Sequence, residues 1–406
     1  MKNKKYLAWF FTGESLNKAF VVNSLLINQL CKNFEKIYFI NMDKFILFTD
    51  ACSCERKFDI EVDKNFEVPS NIEVFVPKTI KNFEDFMIGK ELIAINCIKR
   101  TLSFLKINFL LARHQIKHVQ LHNVGFYNTS SKFRNKSFWK SLIFKLNKYY
   151  GHKLTVLLSN FGLVSKMQIR FTSIPEIINL INKSFIKKIL YNLKLYYAKE
   201  LVLVNSSQFD EFKKNKIEVI EDKIVLLDYN YNHGDVVAYG GKIDKAKIEK
   251  HYYYLNKLIN SLSNMYNKEA VVCLHPDDNL ELKKKYFPNL EVVQYRTPEN
   301  VYKAFLVLFF DSSSIVEAIF HKKRILTLFS NYSGVNVRNH GLKWVKQAGL
   351  LSINIEDEIK INKNKLLSKL DDAKKNYSNY IKTFLAPDGN NRGCEKIIKT
   401  LKERFF

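Results

Sequence analysis

Glycine and proline are scarce in this sequence, at 13 and 7 of 406 residues. A collagen-like or low-complexity chain needs far more of both. A long disordered segment needs fewer apolar residues than the 47% present here. Cysteine is scarce too. The six residues Cys31, Cys52, Cys54, Cys97, Cys273 and Cys394 make no disulfide framework in a chain of this size. The Cys52/Cys54 pair lacks the second pair, or the nearby histidines, that a zinc site requires. A reducing compartment is therefore expected, and the cytoplasm fits. No stretch of about 18 uncharged apolar residues occurs, so no transmembrane helix is expected. Met1-Lys-Asn-Lys-Lys5 has the charge of a signal peptide's opening, but the apolar run Tyr6–Phe11 behind it is too short for a signal core. No internal repeat with a period of roughly 20–50 residues is visible.

Acidic residues are also in deficit. There are 40 Asp and Glu against 65 Lys and Arg, a net charge of +25. Such a field attracts nucleic acid, anionic lipid or phosphorylated substrates. Its bland source is an AT-rich genome, which raises Lys, Asn and Ile together. The lysines read as spread along the whole length and not gathered into one arm, and no RNA-binding or finger signature is present. No nucleic-acid partner is expected. A diffusely positive surface suits peripheral contact with an anionic membrane.

What is present is a repeated alternation of short apolar runs and amphipathic stretches over a length suited to two domains. Tyr6–Phe11 predicts a buried strand that stops at Thr12-Gly13-Glu14-Ser15. Ser15 to Phe34 carries Leu16, Phe20, Val21, Leu25, Leu26 and Leu30 at helical spacing, and Lys36–Met42 predicts a second strand. Strand, helix, strand in that order implies a parallel sheet. Further strands are expected at Glu73–Val76, His118–Leu121 and Leu201–Val204. Residues 130–200 read as Lys-rich and mostly helical. The second half restarts the pattern, with strands at Ile224–Leu227, Ala270–Leu274, Leu290–Tyr295, Leu306–Phe310 and Arg324–Phe329. Helices are expected over Ile243–Tyr266 and Pro298–Phe305. The fold class is α/β, two Rossmann-like domains facing each other across a cleft. The expected division is 1–205 and 206–385, with a C-terminal helix in 386–406 packing back on the first domain.

In open α/β sheets ligands gather beyond the carboxyl ends of the strands. Three places in the second half meet that rule: Asp228, His275-Pro276, and Asp311-Ser312-Ser313-Ser314. The serine run puts hydroxyls and backbone N–H groups at the start of Ile315-Val316-Glu317-Ala318, a set that binds phosphate without a Gly-rich loop. One of the serines serving only as a helix cap is the simpler role, worth about 1 kcal/mol. His275 stands where Pro276 stops a strand, and an imidazole there can donate to a phosphate oxygen. The alternative is a satisfied loop histidine.

The stretch Val271-Val-Cys-Leu-His275-Pro276, then the segment from Val292 to Val301, then Asp311-Ser-Ser-Ser-Ile-Val-Glu-Ala318 resembles the C-terminal domain of GT-B enzymes that use CMP- or CDP-linked donors. Bacterial sialyl- and Kdo-transferases and the polyol-phosphate polymerases of teichoic acid synthesis share an HP motif and a downstream serine pair. The resemblance implies that His275, Pro276, Ser312, Ser313, Ser314 and Glu317 engage the donor's phosphate and nucleotide. Pro387-Asp-Gly-Asn-Asn-Arg-Gly393 is similar to the segment that precedes the last helix of many GT-B chains. The likeness spans roughly residues 222–400.

Leu226-Leu-Asp228-Tyr-Asn-Tyr-Asn-His-Gly-Asp235 looks like the segment carrying a key acidic residue in retaining β-Kdo transferases, where a carboxylate forms a covalent intermediate. Asp228 and Asp235 stand as equal candidates, against an ordinary Asx turn. In the first half, Glu14 and His122 are candidate bases for an acceptor hydroxyl, and Arg113 and Arg296 are candidate forks for a carboxylate or phosphate.

The expected activity is transfer of a Kdo or sialic-acid-like ulosonic acid from a CMP donor to a cell-surface glycan, free or lipid-linked. The enzyme is expected to be cytoplasmic, without cofactor or metal, and peripheral on the inner membrane face. The alternatives are a CDP-polyol phosphotransferase of the teichoic-acid type and a non-catalytic nucleotide-sugar-fold protein.

Overall fold

The computed structural model describes residues 4–11, 24–46, 68–96, 104–122, 152–173, 189, 198–214, 221–231, 244–275, 278–333, 335–357 and 362–406. Contacts divide the chain into two compact units. The first takes in the described residues up to Glu211 together with Phe384–Phe406, and the second is Phe212–Thr383.

The first unit is built on seven parallel strands: β1 (Lys4–Phe11), β2 (Ile37–Asn41), β3 (Ile72–Phe75), β4 (Lys90–Asn96), β5 (Lys117–His122), β6 (Met167–Thr172) and β7 (Ala198–Leu203). Their order across the sheet is β3-β2-β1-β4-β5-β6-β7. β1 explains the architecture. Its Leu7, Trp9 and Phe11 enter one core while Ala8 and Phe10 enter another. A strand apolar on both faces must lie inside a sheet covered on both sides. Helix α1 (Ser24–Asn33) supplies Leu26, Ile27 and Leu30 to the Trp9 side. Helices α2 (Ile80–Met87) and α3 (Leu105–Arg113) supply Phe83, Ile107, Leu110 and Leu111 to the Phe10 side. Helix α4 (His152–Asn160) precedes β6, and α5 (Ser207–Lys214) follows β7.

The Trp9 core also takes Cys394, Ile397, Ile398, Leu401 and Phe405 from the C-terminal helix, Gly393–Phe405. Buried polar groups hold that helix in place. Asn205 Nδ2 donates to the carbonyls of Gly389 and Asn391, at 2.8 and 2.6 Å. Its Oδ1 accepts from the Asp388 N–H at 2.8 Å. The carboxylate of Asp210 accepts from the N–H groups of Gly393 and Cys394, at 3.2 and 2.8 Å, and so caps the helix from a distant part of the chain. Gly393 is required by space, because a Cβ there would lie 2.3 Å from the Asn205 carbonyl oxygen.

The second unit has six parallel strands: β8 (Lys223–Leu227), β9 (Glu269–Leu274), β10 (Glu291–Gln294), β11 (Ala304–Phe309), β12 (Arg324–Phe329) and β13 (Leu351–Asn354), in the order β10-β9-β8-β11-β12-β13. Its helices are α6 (Lys245–Tyr266), α7 (Leu280–Tyr286), α8 (Thr297–Tyr302), α9 (Ile315–Phe320), α10 (Val335–Ala348) and α11 (Lys363–Ala373). Local chemistry marks their ends. Asp244, Asn279 and Asn362 accept from first-turn N–H groups of α6, α7 and α11, and Asn267 closes α6 in the left-handed conformation at φ 52°. In both sheets the chain winds outward from the first strand, reverses, and winds out on the other side. This is the doubly wound, Rossmann-like arrangement.

Residues 130–200, expected to be mostly helical, contain β6. Met167, Ile169 and Phe171 are buried in alternation with half-buried Gln168 and Arg170, a period of two. β4 and the short strand β13 are also absent from the expected set. Of the helix expected over Ser15–Phe34, residues 24–34 are described, and Ser24–Asn33 is helical.

Asn205→Ala removes a buried side chain that makes three hydrogen bonds to the backbone of Asp388, Gly389 and Asn391. It should destabilise the first unit by about 2–3 kcal/mol. A lower thermal midpoint with unchanged far-UV signal below the transition is the expected reading.

Candidate functional site

All strands of the second sheet run the same way, so their carboxyl ends share one edge. The winding reverses between β8 and β11, which pair directly from Ile224/Leu306 to Leu227/Phe309. At such a reversal the loops leave in opposite directions and open a crevice. Asp228 follows β8, and Phe310-Asp311-Ser312-Ser313-Ser314 follows β11.

The serine run is placed by a strand without polar side chains. Ala304 and Leu306–Phe309 are fully buried, so the first groups able to meet solvent come after Phe310. Ser312 Oγ accepts from the Ser314 N–H at 3.3 Å. Ser314 occupies the cap position of α9, yet its hydroxyl makes no capping bond there, and Ser313 is exposed. Capping therefore does not use the hydroxyls of Ser313 and Ser314. Helix α9 is only six residues long, so its dipole adds little and the local hydroxyls and amides carry the polarity. Glu317 lies on the first turn of α9 with its side chain buried, and as an acceptor it is unsuited to holding a phosphate directly.

His275 is the first residue beyond β9 and is half-buried. Its carbonyl accepts from Gln294 Nε2 at 3.2 Å and from the Asp278 N–H at 3.0 Å, which fixes the backbone at this turn. β9 and β11 flank β8, so the exits carrying His275 and Ser312 lie two strand spacings apart, about 10 Å. A diphosphate can bridge that distance with side chains reaching from both ends. Pro276, Asp235 and Glu14 lie outside the described residues, as does the side chain of His122.

Asp228 is corrected by its surroundings. Its carboxylate is fully shielded from solvent and pairs with Lys283 Nζ at 2.5 Å. Tyr252 Oη donates to the same oxygen at 3.3 Å. Lys283 also donates to the Tyr229 carbonyl at 3.1 Å and to the Tyr252 hydroxyl, and it stands 3.2 Å from Asp278 Oδ2. One ammonium thus serves two buried carboxylates, and burial pushes the Asp278 carboxyl above its usual range despite Lys283. A carboxylate held in this way cannot approach an anomeric carbon. Asp228 fastens α6 and α7 to β8.

Sequence reasoning missed Lys283, which reads as one of three surface lysines, Lys283-Lys284-Lys285. The available signal was Phe287, fully buried four residues on, which marks the inward side of α7. His251 was missed as well. Its ring is fully buried among Phe310, Tyr252, Tyr231 and Tyr229, with centroids at 4.8, 5.2, 5.3 and 5.9 Å. Desolvation, helped by the charge of Lys283, lowers its pKa to about 3.

The arginine candidates are not brought to the serine run. Arg296 follows β10, at the edge of the sheet, and forks onto Glu299 at 2.9 and 3.0 Å. Arg113 ends α3 in the first unit and pairs with Glu84 at 3.0 Å. Among the described residues no group of three or more His, Cys, Asp and Glu side chains forms a potential metal site, and no helix is long and apolar enough to cross a membrane.

No family model and no curated protein sequence matches the chain. Solved structures do share its fold. The wall teichoic acid polymerase TagF superposes with a TM-score of 0.53 at 10% identity, covering 99% of this chain and 89% of its own. The calicheamicin glycosyltransferase CalG4 gives 0.51 at 10% identity over the whole of both chains. A UDP-N-acetylglucosamine 2-epimerase gives 0.50 at 14% identity, covering 100% of this chain and 98% of its own. The chain therefore has the GT-B fold, two Rossmann-like units in one polypeptide, which glycosyltransferases and nucleotide-sugar epimerases share.

Two outcomes test the buried cluster. Lys283→Met leaves two carboxylates facing each other without a counter-charge and should cost about 3–5 kcal/mol of stability. His251 is kept neutral in the fold but binds a proton near pH 6.5 when unfolded. Its contribution is therefore complete above pH 6.5 and is lost as pH falls toward 3. The raised carboxyl of Asp278 works in the opposite sense at the acid end. His251→Phe should flatten the fall in thermal midpoint between pH 7 and pH 4, which a melting series in matched buffers will read.

Proposed function

We propose that the chain is a GT-B transferase whose second unit holds a nucleotide-activated donor at the exits of β9 and β11. The observation that carries this reading is the run Ser312-Ser313-Ser314, with the hydroxyls of Ser313 and Ser314 not taken up by capping, at the reversal point of a doubly wound sheet. In this assignment the serine hydroxyls and adjacent amides bind the donor's phosphate oxygens. His275 donates to the phosphate from the next loop and stabilises the charge that grows as the donor bond breaks. Glu317, an acceptor buried beneath them, is better suited to a ribose hydroxyl than to phosphate.

The preferred donor is CMP-linked, carrying an ulosonic acid such as Kdo or a sialic-acid-like sugar. Its support is the likeness of the His275-Pro276 and serine motifs to those transferases. The acceptor is a surface glycan, free or lipid-linked, and we assign it to the first unit. With Asp228 committed to Lys283, the acidic catalyst is sought in Asp235 or Glu14. A second reading, transfer of a polyol phosphate from a CDP-linked donor, draws on the same two motifs and on the similarity of fold to TagF.

Melting the purified protein with CMP, CDP, UDP, GDP and TDP separates these readings. A ligand at 100 times its Kd should stabilise the native state by about 2.7 kcal/mol, a rise of several degrees. CMP is expected to give the largest shift, and Ser313→Ala or His275→Ala to abolish it. A shift with CDP alone favours the polyol reading. A response to UDP alone overturns both. No shift with any nucleotide removes the donor assignment altogether.

A further inference from the structure

The second unit carries a groove that the donor assignment does not use. It lies between α6 and the segment joining α7 to β10, and its volume is about 640 Å³. That size falls in the range of about 300–1,000 Å³ found for small-molecule sites. From α6 it takes Glu249, Tyr253, Asn256, Lys257 and Asn260, which recur at the spacing of one helix face. From the other side it takes Lys285, Tyr286 and Asn289. None of its lining residues belongs to the exits of β9 or β11.

The groove is held in one shape. At its buried side the Tyr252 ring stacks on Tyr286 at 4.3 Å and 14°, and the Tyr252 hydroxyl donates to Asp228. Asn256 Nδ2 donates to the carbonyls of Tyr252 and Tyr286, at 2.8 and 2.7 Å. These bonds fasten α6 to the end of α7 and leave Asn256 Oδ1 to accept. Tyr253 is 66% exposed, and its ring meets Tyr254 edge-on at 5.3 Å, so the ring is braced while much of it stays open. Among the described residues, the side chains of Lys257, Asn260, Lys285 and Asn289 have no hydrogen-bond or ion-pair partner.

This set of groups matches a saccharide. A pyranose ring presents hydroxyls that need both donors and acceptors, together with an apolar C–H face that packs on an aromatic ring. The three amides and Glu249 meet the first need, and Tyr253 meets the second. The two unpaired lysines add charge suited to carboxylates on the sugar. A helical peptide requires a row of apolar pockets instead of three amides. A nucleic-acid strand follows a continuous basic track, which Glu249 interrupts.

We propose that this groove binds a stretch of an anionic oligosaccharide, holding the acceptor glycan at a point remote from its reacting end. The binding stands on the residues above, whereas the role in holding an acceptor rests on the transferase reading.

The test is isothermal titration of the full chain with hexamers of galacturonic acid and of sialic acid, and with maltohexaose. The acidic hexamers are expected to bind at least about tenfold more tightly than the neutral one, and less tightly as salt is raised. Tyr253→Ala and Lys257→Glu should each weaken that binding about tenfold without moving the thermal midpoint, since both side chains are exposed. Binding of neither acidic hexamer overturns the proposal. So does binding no tighter than that of maltohexaose, or binding that both variants leave unchanged. A dimer in ultracentrifugation that Tyr253→Ala dissociates would make the groove a contact between copies instead. The nucleotide-induced melting shift is read on the same proteins. Its absence from the unaltered chain, with hexamer binding kept, removes the acceptor role and leaves the saccharide site. Its presence without hexamer binding removes the site and leaves the donor reading.

Discussion

Every strand in each sheet runs in one direction, and the rest of the structure follows from that constraint. A parallel pair cannot be closed by a tight turn, so each strand is followed by a crossover that packs on one face or the other. Both faces are then covered, and the strands must be apolar throughout, as Leu7 to Phe11 and Leu306 to Phe309 are. Polar chemistry is expelled to the strand ends, and it can act on a ligand only where no crossover closes over it. Asp228 and Ser312–Ser314 stand at neighbouring exits of one sheet and meet opposite fates. Helices α6 and α7 close over Asp228, whereas the exit of β11 keeps Ser313 in contact with solvent.

Much of this was legible in the sequence, because a buried strand ending in polar residues is a local signal. The Rossmann-like alternation, the strands around His275 and the serine run all announce themselves within ten residues. The pairing of Asp228 with Lys283 did not, because the partners lie 55 positions apart and Lys283 hides in a run of three lysines. The anchoring of the segment from Asp388 to Gly393 by Asn205 and Asp210 joins residues more than 180 positions apart. The segment around Gly393 was recognisable as a motif, but its reason, a backbone too close for any side chain, is visible only in three dimensions. β6 was obscured differently, because Gln168 and Arg170 interrupt its apolar run and leave only a short period-two pattern.

The buried group of Asp228, Asp278 and Lys283 shows how a charge can be kept in an interior without acting in chemistry. Two carboxylates and one ammonium exchange little net stability, because desolvation offsets most of their attraction. Their directionality is what remains. The ammonium meets a carboxylate on β8's exit, a hydroxyl on α6 and a carbonyl of Tyr229, so only one placement of α7 satisfies it. The rings around His251 then fill the space behind that junction, and the histidine stays neutral because nothing there favours a proton.

The C-terminal helix has a consequence in time. The face of β1 that carries Leu7, Trp9 and Phe11 is synthesised about 390 residues before Ile397, Leu401 and Phe405, whose side chains cover part of it. At about 5–20 residues per second the two are separated by roughly 20–80 s. Until that helix is made the first sheet carries an open apolar face, whereas the second unit, Phe212–Thr383, has all of its own residues before it. The first unit is therefore begun before the second and finished after it, and a ribosome that stalls before Gly393 leaves that face exposed to chaperones and proteases.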